Sequence, residues 1–340
     1  MFITKRINIS KEFIRMKIVI TGGAGFIGSH IVDSLLSQGN EVVVIDNLSS
    51  GRLANFENAR SNNSFNFVER DLRFIDNEEL NEILKGTTTV FHLSAFADLR
   101  KSLVDMKQDF DNNLVPTLKL LDAVAATGVK HFIYFSTSSI YGEAKVIPTP
   151  ETYFPIITSL YSASKLSSEA FCQAYSEIFN FRLDIFRFSN IIGERCRRGV
   201  IWDFVHKLAG SNQLLEVLGD GKQSKEFLHV SDAIQAVLTV FAHNNTNRVS
   251  IYNVGSEQNL TIDEVANIVS HRVTGRRVEK HFTGGKSGWI GDNPIVSLDI
   301  SRVKELGWKQ TIDSRRAIEM TVDWTIQEIH GQSVQKGEQQ

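Results

Sequence analysis

The sequence predicts an α/β protein: a doubly wound parallel sheet with a smaller α/β lobe towards the carboxyl end. The chain has 340 residues, of which 42% are hydrophobic, enough to bury a sizeable core. In its first half, short β-rich runs alternate with longer helical patterns, which is typical of parallel strands joined by helical crossovers. After about residue 193 the segments shorten, and Gly-rich turns follow at 219–221 and 284–291, which indicates the second lobe.

The elements of the first half follow from local patterns. Runs of apolar and β-branched residues predict strands, and apolar residues at helical spacing predict the helices between them. The predicted strands are Lys17–Thr21, Glu41–Asp46, Phe65–Glu69, 88–93, 131–136 and 182–186, and the predicted helices are 27–38, 116–127 and 161–179. Right-handed crossovers would place these helices on both faces of the sheet.

Composition excludes several classes of protein. Lys+Arg is 37 and Asp+Glu is 39, so the formal net charge of −2 argues against nucleic acid as the main partner. No apolar run reaches the roughly 18–20 residues that span a bilayer, so no membrane association is expected. The two cysteines, Cys172 and Cys196, exclude a disulfide scaffold and favour a cytoplasmic location. The nine histidines form no metal-ligand cluster, and no metal is expected.

A glycine-rich turn follows the first strand. Gly22, Gly25 and Gly28 follow the pattern G-x-x-G-x-x-G between a predicted strand and a predicted helix. Glycine permits the sharp turn and lets a diphosphate approach the backbone, and the helix amino end favours an anion. The turn therefore predicts a dinucleotide site, although an ordinary glycine turn is the simpler interpretation.

Two acidic residues are candidates to bind the adenosine part of a dinucleotide. Asp46 ends the second strand, where a carboxylate can bond both ribose hydroxyls. The same charge would repel a 2′-phosphate, so NAD is favoured over NADP. Asp71, after the third strand, is a candidate for the adenine amino group. The alternative for Asp46 is a helix cap or a turn aspartate.

Tyr161 and Lys165 are four residues apart and lie on one face of a predicted helix. A free phenol has a pKa of about 10. A cation about 4 Å away is worth roughly 4 kcal/mol at an effective dielectric of about 20, before desolvation is subtracted. Lys165, helped by a positive nicotinamide ring, is therefore expected to prepare Tyr161 as a proton acceptor. The hydroxyls of residues 136–139 could bond a substrate oxygen, or simply stabilise a turn.

Four motifs together resemble the extended short-chain dehydrogenase/reductase superfamily: TGGAGFIGSH, DNLSSG, YSASKLSSE and RFSNIIG. The chain is most similar to the UDP-glucose 4-epimerase family, over Met16 to Trp324. The resemblance implies a Rossmann fold, NAD as cofactor, a UDP-sugar as substrate and a homodimer formed through helices 101–127 and 161–179. The expected organisation is an extension at 1–15, an NAD-binding domain at 16–192, mainly a nucleotide-sugar lobe at 193–330 with possible interleaving, and a flexible tail at 331–340.

The resemblance also implies roles for individual residues. The catalytic residues are Tyr161, Lys165 and Thr137, which lies five residues before Gly142. The cofactor residues are Gly22, Gly25, Phe26, Ile27, Gly28, Asp46, Asn47, Leu48, Ser49, Ser50, Gly51, Asp71, Leu72, Leu93, Ser94, Ala95, Ala97, Asn113, Tyr161 and Lys165. The substrate residues are Thr137, Tyr161, Asn190, Gly199, Val200, Lys225, Lys286 and Val296.

Three of these substrate residues depart from the family pattern or depend on an uncertain alignment. Lys225 stands where many members have an arginine that grips the diphosphate, so it keeps the charge but loses the bidentate fork. Lys286 is the candidate replacement for a second arginine, at a different spacing from Asp292. Val296 falls at a position that gates sugar size. A small residue there implies room for N-acetyl groups, unless Val296 is simply a core residue.

The implied reaction is NAD-dependent 4-epimerisation of a UDP-hexose through a 4-keto intermediate. A 4,6-dehydratase would have an Asp-Glu pair after Thr137, where this chain has two serines. The arginines Arg195, Arg197 and Arg198 leave a UDP-glucuronate decarboxylase open. A ketone reductase would more often use NADP, against Asp46, and a non-catalytic NAD sensor would often lack the tyrosine or the lysine.

Overall fold

The computed structural model describes residues 15–97, 105, 107–210, 214–243, 245–289 and 291–337. Its strands are β1 (Lys17–Thr21), β2 (Glu41–Asp46), β3 (Phe65–Glu69), β4 (Thr89–His92), β5 (His131–Thr137), β6 (Arg182–Phe188), β7 (Asn190–Ile192), β8 (Leu214–Val217), β9 (Ser224–His229), β10 (Val249–Val254), β11 (Asn259–Thr261) and β12 (Glu279–Phe282). Its α-helices are α1 (Phe26–Ser37), α2 (Asn77–Leu84), α3 (Val115–Thr127), α4 (Leu160–Phe179), α5 (Val200–Ala209), α6 (Val230–Ala242), α7 (Ile262–Thr274), α8 (Ser301–Glu305) and α9 (Ser314–Gly337).

A seven-stranded parallel sheet forms the centre of the molecule, in the order β10-β6-β5-β4-β1-β2-β3. The direction of winding reverses between β1 and β4, so the chain leaves the carboxyl ends of these two strands in opposite directions. Ligands of doubly wound sheets bind in the crevice that opens at such a point. The predicted doubly wound parallel sheet is confirmed.

Each face of this sheet carries its own core, because successive side chains of a strand point to opposite faces. Ile18 and Ile20 of β1 belong to one buried cluster together with α1 and α6. Val19 belongs to the other, together with α2, α3 and α4. Helices thus cover both faces, and the strands are apolar on both sides because neither face meets water.

The second lobe contains two small sheets, β11-β9-β7 and β12-β8, packed with α5, α7 and α9 around a third buried cluster. The chain does not divide cleanly at residue 193. The strand β10 returns to the central sheet and pairs with β6 from Val249 to Val254. The division predicted at 192/193 stays a prediction, and the chain interleaves as that prediction allowed.

Local chemistry sets several helix ends. A capping box between Ser159 and Ser162 begins α4, and one between Thr261 and Glu264 begins α7. Gly128 ends α3 and Gly275 ends α7, both in the left-handed conformation that glycine adopts without strain.

The structure differs from the predicted elements in two places. The predicted helix 101–127 is an α-helix from Val115, preceded by a π-helical turn at Phe110–Leu114, while 101–104 and 106 lie outside the described residues. The helix α9 runs to Gly337, so the tail predicted to be flexible begins as helix. The predicted extension at 1–15 lies outside the described residues except for Arg15.

Candidate active site

The glycine turn between β1 and α1 is closed on one side and open on the other. A Cβ at Gly28 would lie 2.3 Å from the carbonyl oxygen of Gly22, and one at Gly22, whose φ is +71°, would lie 2.6 Å from the amide nitrogen of Ser94. A Cβ at Gly25 would meet only the Gly22 oxygen, at 3.2 Å. The first turn of α1 has no side-chain cap and no acidic residue. Its amide groups therefore suit the diphosphate of a dinucleotide.

The carboxylate of Asp46 lies at the end of β2, beside this turn. It accepts hydrogen bonds from the amides of Ala24 at 3.0 Å and Leu48 at 2.8 Å. It is buried, and loss of hydration raises its pKa. The segment 46–51 closes over the turn, since a Cβ at Gly51 would lie 2.7 Å from the Cβ of Ala24. The amides of the open glycine turn and the carboxylate of Asp46 together fit NAD.

Asp71 follows β3, the strand that neighbours β2 in the sheet. Its carboxylate accepts a hydrogen bond from Asn47 at 2.8 Å and forms an ion pair with Arg73 at 2.6 Å. Arg73 lowers the pKa of Asp71 to about 2, so the carboxylate stays charged. The neighbouring Leu72 is buried in the core. The predicted roles of Asp71 and Leu72 towards adenine stay predictions.

The segment after β4, residues 93–97, is fastened to the glycine-turn strand and to α4. The amide of Leu93 donates to the carbonyl of Thr21 at 3.0 Å. Asn113 accepts from the amide of Phe96 at 2.7 Å and donates to the hydroxyl of Ser164 at 2.9 Å. Asn113, predicted as a cofactor residue, thus links this segment to α4. Ser164 was not singled out from the sequence, although it directly precedes Lys165.

Tyr161 and Thr137 meet at the carboxyl end of β5. Tyr161 is the second residue of α4, and the side chain of Thr137 lowers the pKa of its phenol. The Thr137 hydroxyl also accepts from the amide of Ser139 at 3.1 Å. Burial raises the pKa of Tyr161, and the positive charge of Arg198 opposes this rise. The two predicted catalytic oxygens are therefore together.

Lys165 is buried beside the ring of Tyr134. Its ammonium lies 4.2 Å from the centre of the Tyr134 ring, and burial lowers its pKa to about 8. A buried ammonium needs a compensating partner, and the π face of Tyr134 supplies one. The predicted action of Lys165 on the Tyr161 phenol stays a prediction.

The predicted substrate residues lie on the strands and turns of the second lobe. Asn190 begins β7 and donates to the carbonyl of Glu226 at 3.0 Å. Gly199, with a φ of +86°, caps α5, whose first residue is Val200. The amide of Val296 donates to the carbonyl of Ser224 at 3.0 Å, so its backbone extends the edge of β9.

The two predicted diphosphate lysines have different surroundings. The ammonium of Lys225 is buried, pairs with Asp292 at 2.7 Å and also contacts the carbonyl of Asn293. The positive charge expected to face a diphosphate is therefore already compensated. Lys286 is exposed and lines an open pocket with Trp289, whose indole is half-exposed. Their roles towards a diphosphate stay predictions.

The three arginines before α5 also differ from one another. Arg195 pairs with Asp33 at 2.8 Å, and Arg197 pairs with Glu328 at 2.7 Å. Arg198 is exposed and forms no salt bridge with any residue that the structure describes. The sequence shows three neighbouring arginines. Only the structure shows that Arg195 and Arg197 form salt bridges and that Arg198 forms none with the described residues.

Within the described ranges, no group of three or more His, Cys, Asp or Glu side chains is arranged to hold a metal ion. No described helix combines the length and the apolar character that crossing a membrane requires.

Comparisons with known proteins give consistent matches. The model of the "NAD dependent epimerase/dehydratase family" matches residues 18–255. A putative UDP-glucose 4-epimerase of Methanocaldococcus jannaschii is 31% identical over 90% of this chain and 97% of its own length. A crystal structure of a UDP-galactose 4-epimerase is 35% identical, with a TM-score of 0.82 over 92% of this chain and 99% of its own. The Bacillus cereus UDP-glucuronic acid 4-epimerase, solved with UDP-glucuronic acid and NAD, is 28% identical with a TM-score of 0.84 over 92% and 100%.

Proposed function

The chain belongs to the NAD dependent epimerase/dehydratase family, and on that premise we propose that it interconverts the C4 epimers of a UDP-hexose. The observation that carries this proposal is that Tyr161 interacts with Thr137 at the carboxyl end of β5. In a doubly wound sheet, that edge also holds the glycine turn and Asp46. A proton acceptor and a dinucleotide site at one sheet edge suit reversible oxidation of a sugar carbon.

In this mechanism Tyr161, as phenolate, takes the proton of the C4 hydroxyl at its phenolic oxygen. The glycine turn and Asp46 would hold NAD, which would supply reversible hydride chemistry at C4. Thr137 donates a hydrogen bond to the sugar oxygen while it is a carbonyl, and Tyr161 gives its proton back when the carbonyl is reduced. The 4-keto sugar turns within the pocket between the two transfers, which yields the epimer with no net oxidation.

The nucleotide part of the substrate anchors the sugar during this turn. Interactions with the UDP remain while the pyranose changes its exposed face, because the binding energy is concentrated away from the reacting carbon. Asn190, Gly199 and Val200 at the start of the second lobe are the proposed contacts. The plain pair UDP-glucose and UDP-galactose is the first choice, and Val296 supports UDP-GlcNAc and UDP-GalNAc as further substrates.

A UDP-uronic acid is the second candidate substrate, favoured by the exposed guanidinium of Arg198. A carboxylate at C6 would give this cation an ionic partner with matching planar geometry. The Bacillus cereus relative, which is named for UDP-glucuronic acid, supports the same choice. Decarboxylation of such a substrate is the corresponding alternative reaction.

The test is incubation of the NAD-loaded protein with UDP-Glc, UDP-Gal, UDP-GlcNAc, UDP-GalNAc and UDP-glucuronic acid, each alone. Epimers are resolved by NMR, and NADH is followed by absorbance. We expect interconversion of at least one C4 pair with no net accumulation of NADH. Release of carbon dioxide from UDP-glucuronic acid would identify a decarboxylase instead. Protein that keeps its NAD and converts none of the five sugars would contradict the proposal.

A further inference from the structure

We propose that Arg187, on β6, is a positioning residue of this site: by binding the carboxylate of Glu169, it keeps the ammonium of Lys165 free to act at the site. The inference rests on the proposed function in one respect, because that function makes Tyr161 the proton acceptor that Lys165 assists. Arg187 is itself buried, so it acts through the charges on α4 and not on the substrate.

Three polar side chains of α4 follow one another at intervals of four residues: Tyr161, Lys165 and Glu169. Residues at this spacing are neighbours on one side of a helix. Lys165 and Glu169 are both buried, at 2% and 0% exposure. A cation and an anion attract strongly where water is excluded from around them. Without a competing partner, Glu169 is therefore expected to bind Lys165 and to draw its charge along α4, away from Tyr161.

The guanidinium of Arg187 occupies this carboxylate. Its Nη2 donates to Oε2 of Glu169 at 2.7 Å, and its Nε lies 3.2 and 3.3 Å from the two carboxylate oxygens. A forked contact of this kind engages both oxygens, which the single point charge of an ammonium does not. Lys165 forms no salt bridge with any described residue, and its ammonium lies 4.2 Å from the centre of the Tyr134 ring. Glu169 is thus paired with β6 and not with the lysine of its own helix.

The remaining donors of the guanidinium hold it in place. Its Nη1 donates to the hydroxyl of Tyr141 at 3.0 Å and to the carbonyl of Glu151 at 2.9 Å. The Tyr141 hydroxyl in turn donates to the side-chain oxygen of Asn253 on β10 at 2.7 Å. Burial opposes the charge of Arg187, but the hydrogen bonds to Glu169 outweigh it, and the pKa of Arg187 is raised. The guanidinium therefore stays charged, and it cannot turn from Glu169 without losing several hydrogen bonds.

The other groups around Lys165 carry no charge that could hold it. Burial lowers the pKa of His92 on β4 to about 3, so its ring is neutral. Burial raises the pKa of Tyr134 on β5 and of Cys172 on α4, so both are neutral near pH 7. Burial lowers the pKa of Lys165 itself to about 8, and Glu169 is the ionised neighbour that raises it. Among these neighbours, Glu169 is therefore the competitor for the ammonium.

The phenol of Tyr161 has neighbours of its own. Burial raises its pKa, Arg198 and Thr137 lower it, and Asp109 raises it. Replacements on β6 alter none of these groups. A shift in the titration of the phenol then reports a change in the charge beside it on α4.

The experiment compares Arg187→Met with the wild-type holoenzyme over a range of pH. The variant leaves the Glu169 carboxylate without its partner, and we expect Lys165 to form a salt bridge with it. Because Tyr161 then loses its cation, the acid limb of turnover should move to higher pH by about one unit, or about tenfold in rate on that limb. The crystal structure of the variant with NAD should show the new salt bridge.

The double variant Arg187→Met/Glu169→Gln separates this role from packing. It lacks the same guanidinium, but it has no carboxylate that could hold Lys165. We expect its acid limb to return to the wild-type pH, with the ammonium again beside the ring of Tyr134. Thermal unfolding verifies that each variant is folded. Arg187→Gln, which can still donate a hydrogen bond to Glu169, replaces the methionine variant if that one does not fold.

Arg182→Met is the matched control. Arg182 lies at the other end of β6 and also pairs with a fully buried carboxylate, that of Asp184, at 2.7 Å. Its replacement should lower stability in the same way, because it too leaves a buried charge without its partner. It should not move the acid limb, since neither member of this pair belongs to α4.

An unmoved acid limb in the folded Arg187→Met protein would overturn the inference. So would a crystal structure in which Lys165 keeps its place while Glu169 has no partner, or a double variant whose acid limb stays displaced. The crystal structure needs no substrate, so it still tests Arg187 if the chain proves not to be an epimerase.

Discussion

At the scale of single residues, burial acts in opposite directions on the two members of the tyrosine–lysine motif. It raises the pKa of the Tyr161 phenol and lowers that of the Lys165 ammonium to about 8. The cause is the same for both, since each charged form loses hydration inside the protein. Burial therefore opposes the charged form of both groups.

Replacement of Tyr161 by Phe removes the proposed proton acceptor and keeps the ring. We expect turnover to fall by roughly 10²–10⁴-fold, the usual contribution of a positioned acid or base. NAD content, measured after release by denaturation, should stay near the wild-type value because the glycine turn and Asp46 are unchanged. Turnover within twofold of wild type would show that another group takes the proton.

Replacement of Asp46 by Asn tests the preference for NAD. Asparagine can still accept a hydrogen bond from Ala24 or Leu48, but it no longer repels a 2′-phosphate. We expect the affinity for NADP relative to NAD to rise by about tenfold, which corresponds to about 1.4 kcal/mol. Calorimetric titration of both dinucleotides measures the ratio. If the ratio does not change, the discrimination resides elsewhere.

At the scale of elements, β9 carries a buried carboxylate that fastens two other segments. Glu226 accepts from the amides of Leu298 at 2.6 Å and Ser256 at 3.3 Å, and it has no exposed surface. Burial raises its pKa to about 7, from an ordinary value of 4.5. Between these two pH values the folded protein binds more protons than the unfolded chain, so this group makes stability fall as pH rises through that window.

Glu226→Gln should remove this pH dependence. Relative to wild type, we expect the variant to gain roughly 3 kcal/mol in free energy of unfolding between pH 4.5 and 7, on top of a constant offset from altered hydrogen bonds. Denaturant unfolding at several pH values measures the difference. Glu279→Gln, on the exposed strand β12, is the control. A difference that stays constant with pH would show that Glu226 titrates normally.

At the scale of the whole molecule, α4 has apolar side chains that the described residues leave exposed. Phe171 is 42% exposed and Ile178 is 71% exposed. They are seven residues apart and so lie on one side of the helix. The resemblance implied a homodimer through this helix and its neighbour α3. The homodimer stays a prediction, and the exposed face gives it a physical basis.

Phe171→Asp combined with Ile178→Asp should convert such a dimer to a monomer, because two charges would be buried without partners at the interface. Sedimentation or light scattering measures the mass. Leu214→Asp, a similarly exposed position on β8, is the matched control and should leave the mass unchanged. A wild-type protein that is already monomeric at high concentration would contradict the prediction.

Much of the fold could be predicted because it depends on neighbours along the chain. The alternation of Val19 with Ile18 and Ile20 predicts a strand buried on both faces, and the structure divides them between two cores as expected. The glycine turn and the position of Asp46 at the end of β2 follow from the same local signals. The return of β10 to the central sheet could not be predicted. Pairing between strands some sixty residues apart has no signal in the local sequence.

The sequence by itself determined the sheet, the glycine turn, the acidic residue at the end of β2 and the helix that presents Tyr161, because each depends on backbone preferences and on spacing of a few residues. Only the tertiary structure decided which charges meet. It paired Lys225 with Asp292 and placed the Lys165 ammonium against the ring of Tyr134. The physical reason is that charge interactions and desolvation depend on distance and burial in space, which separation along the chain does not specify.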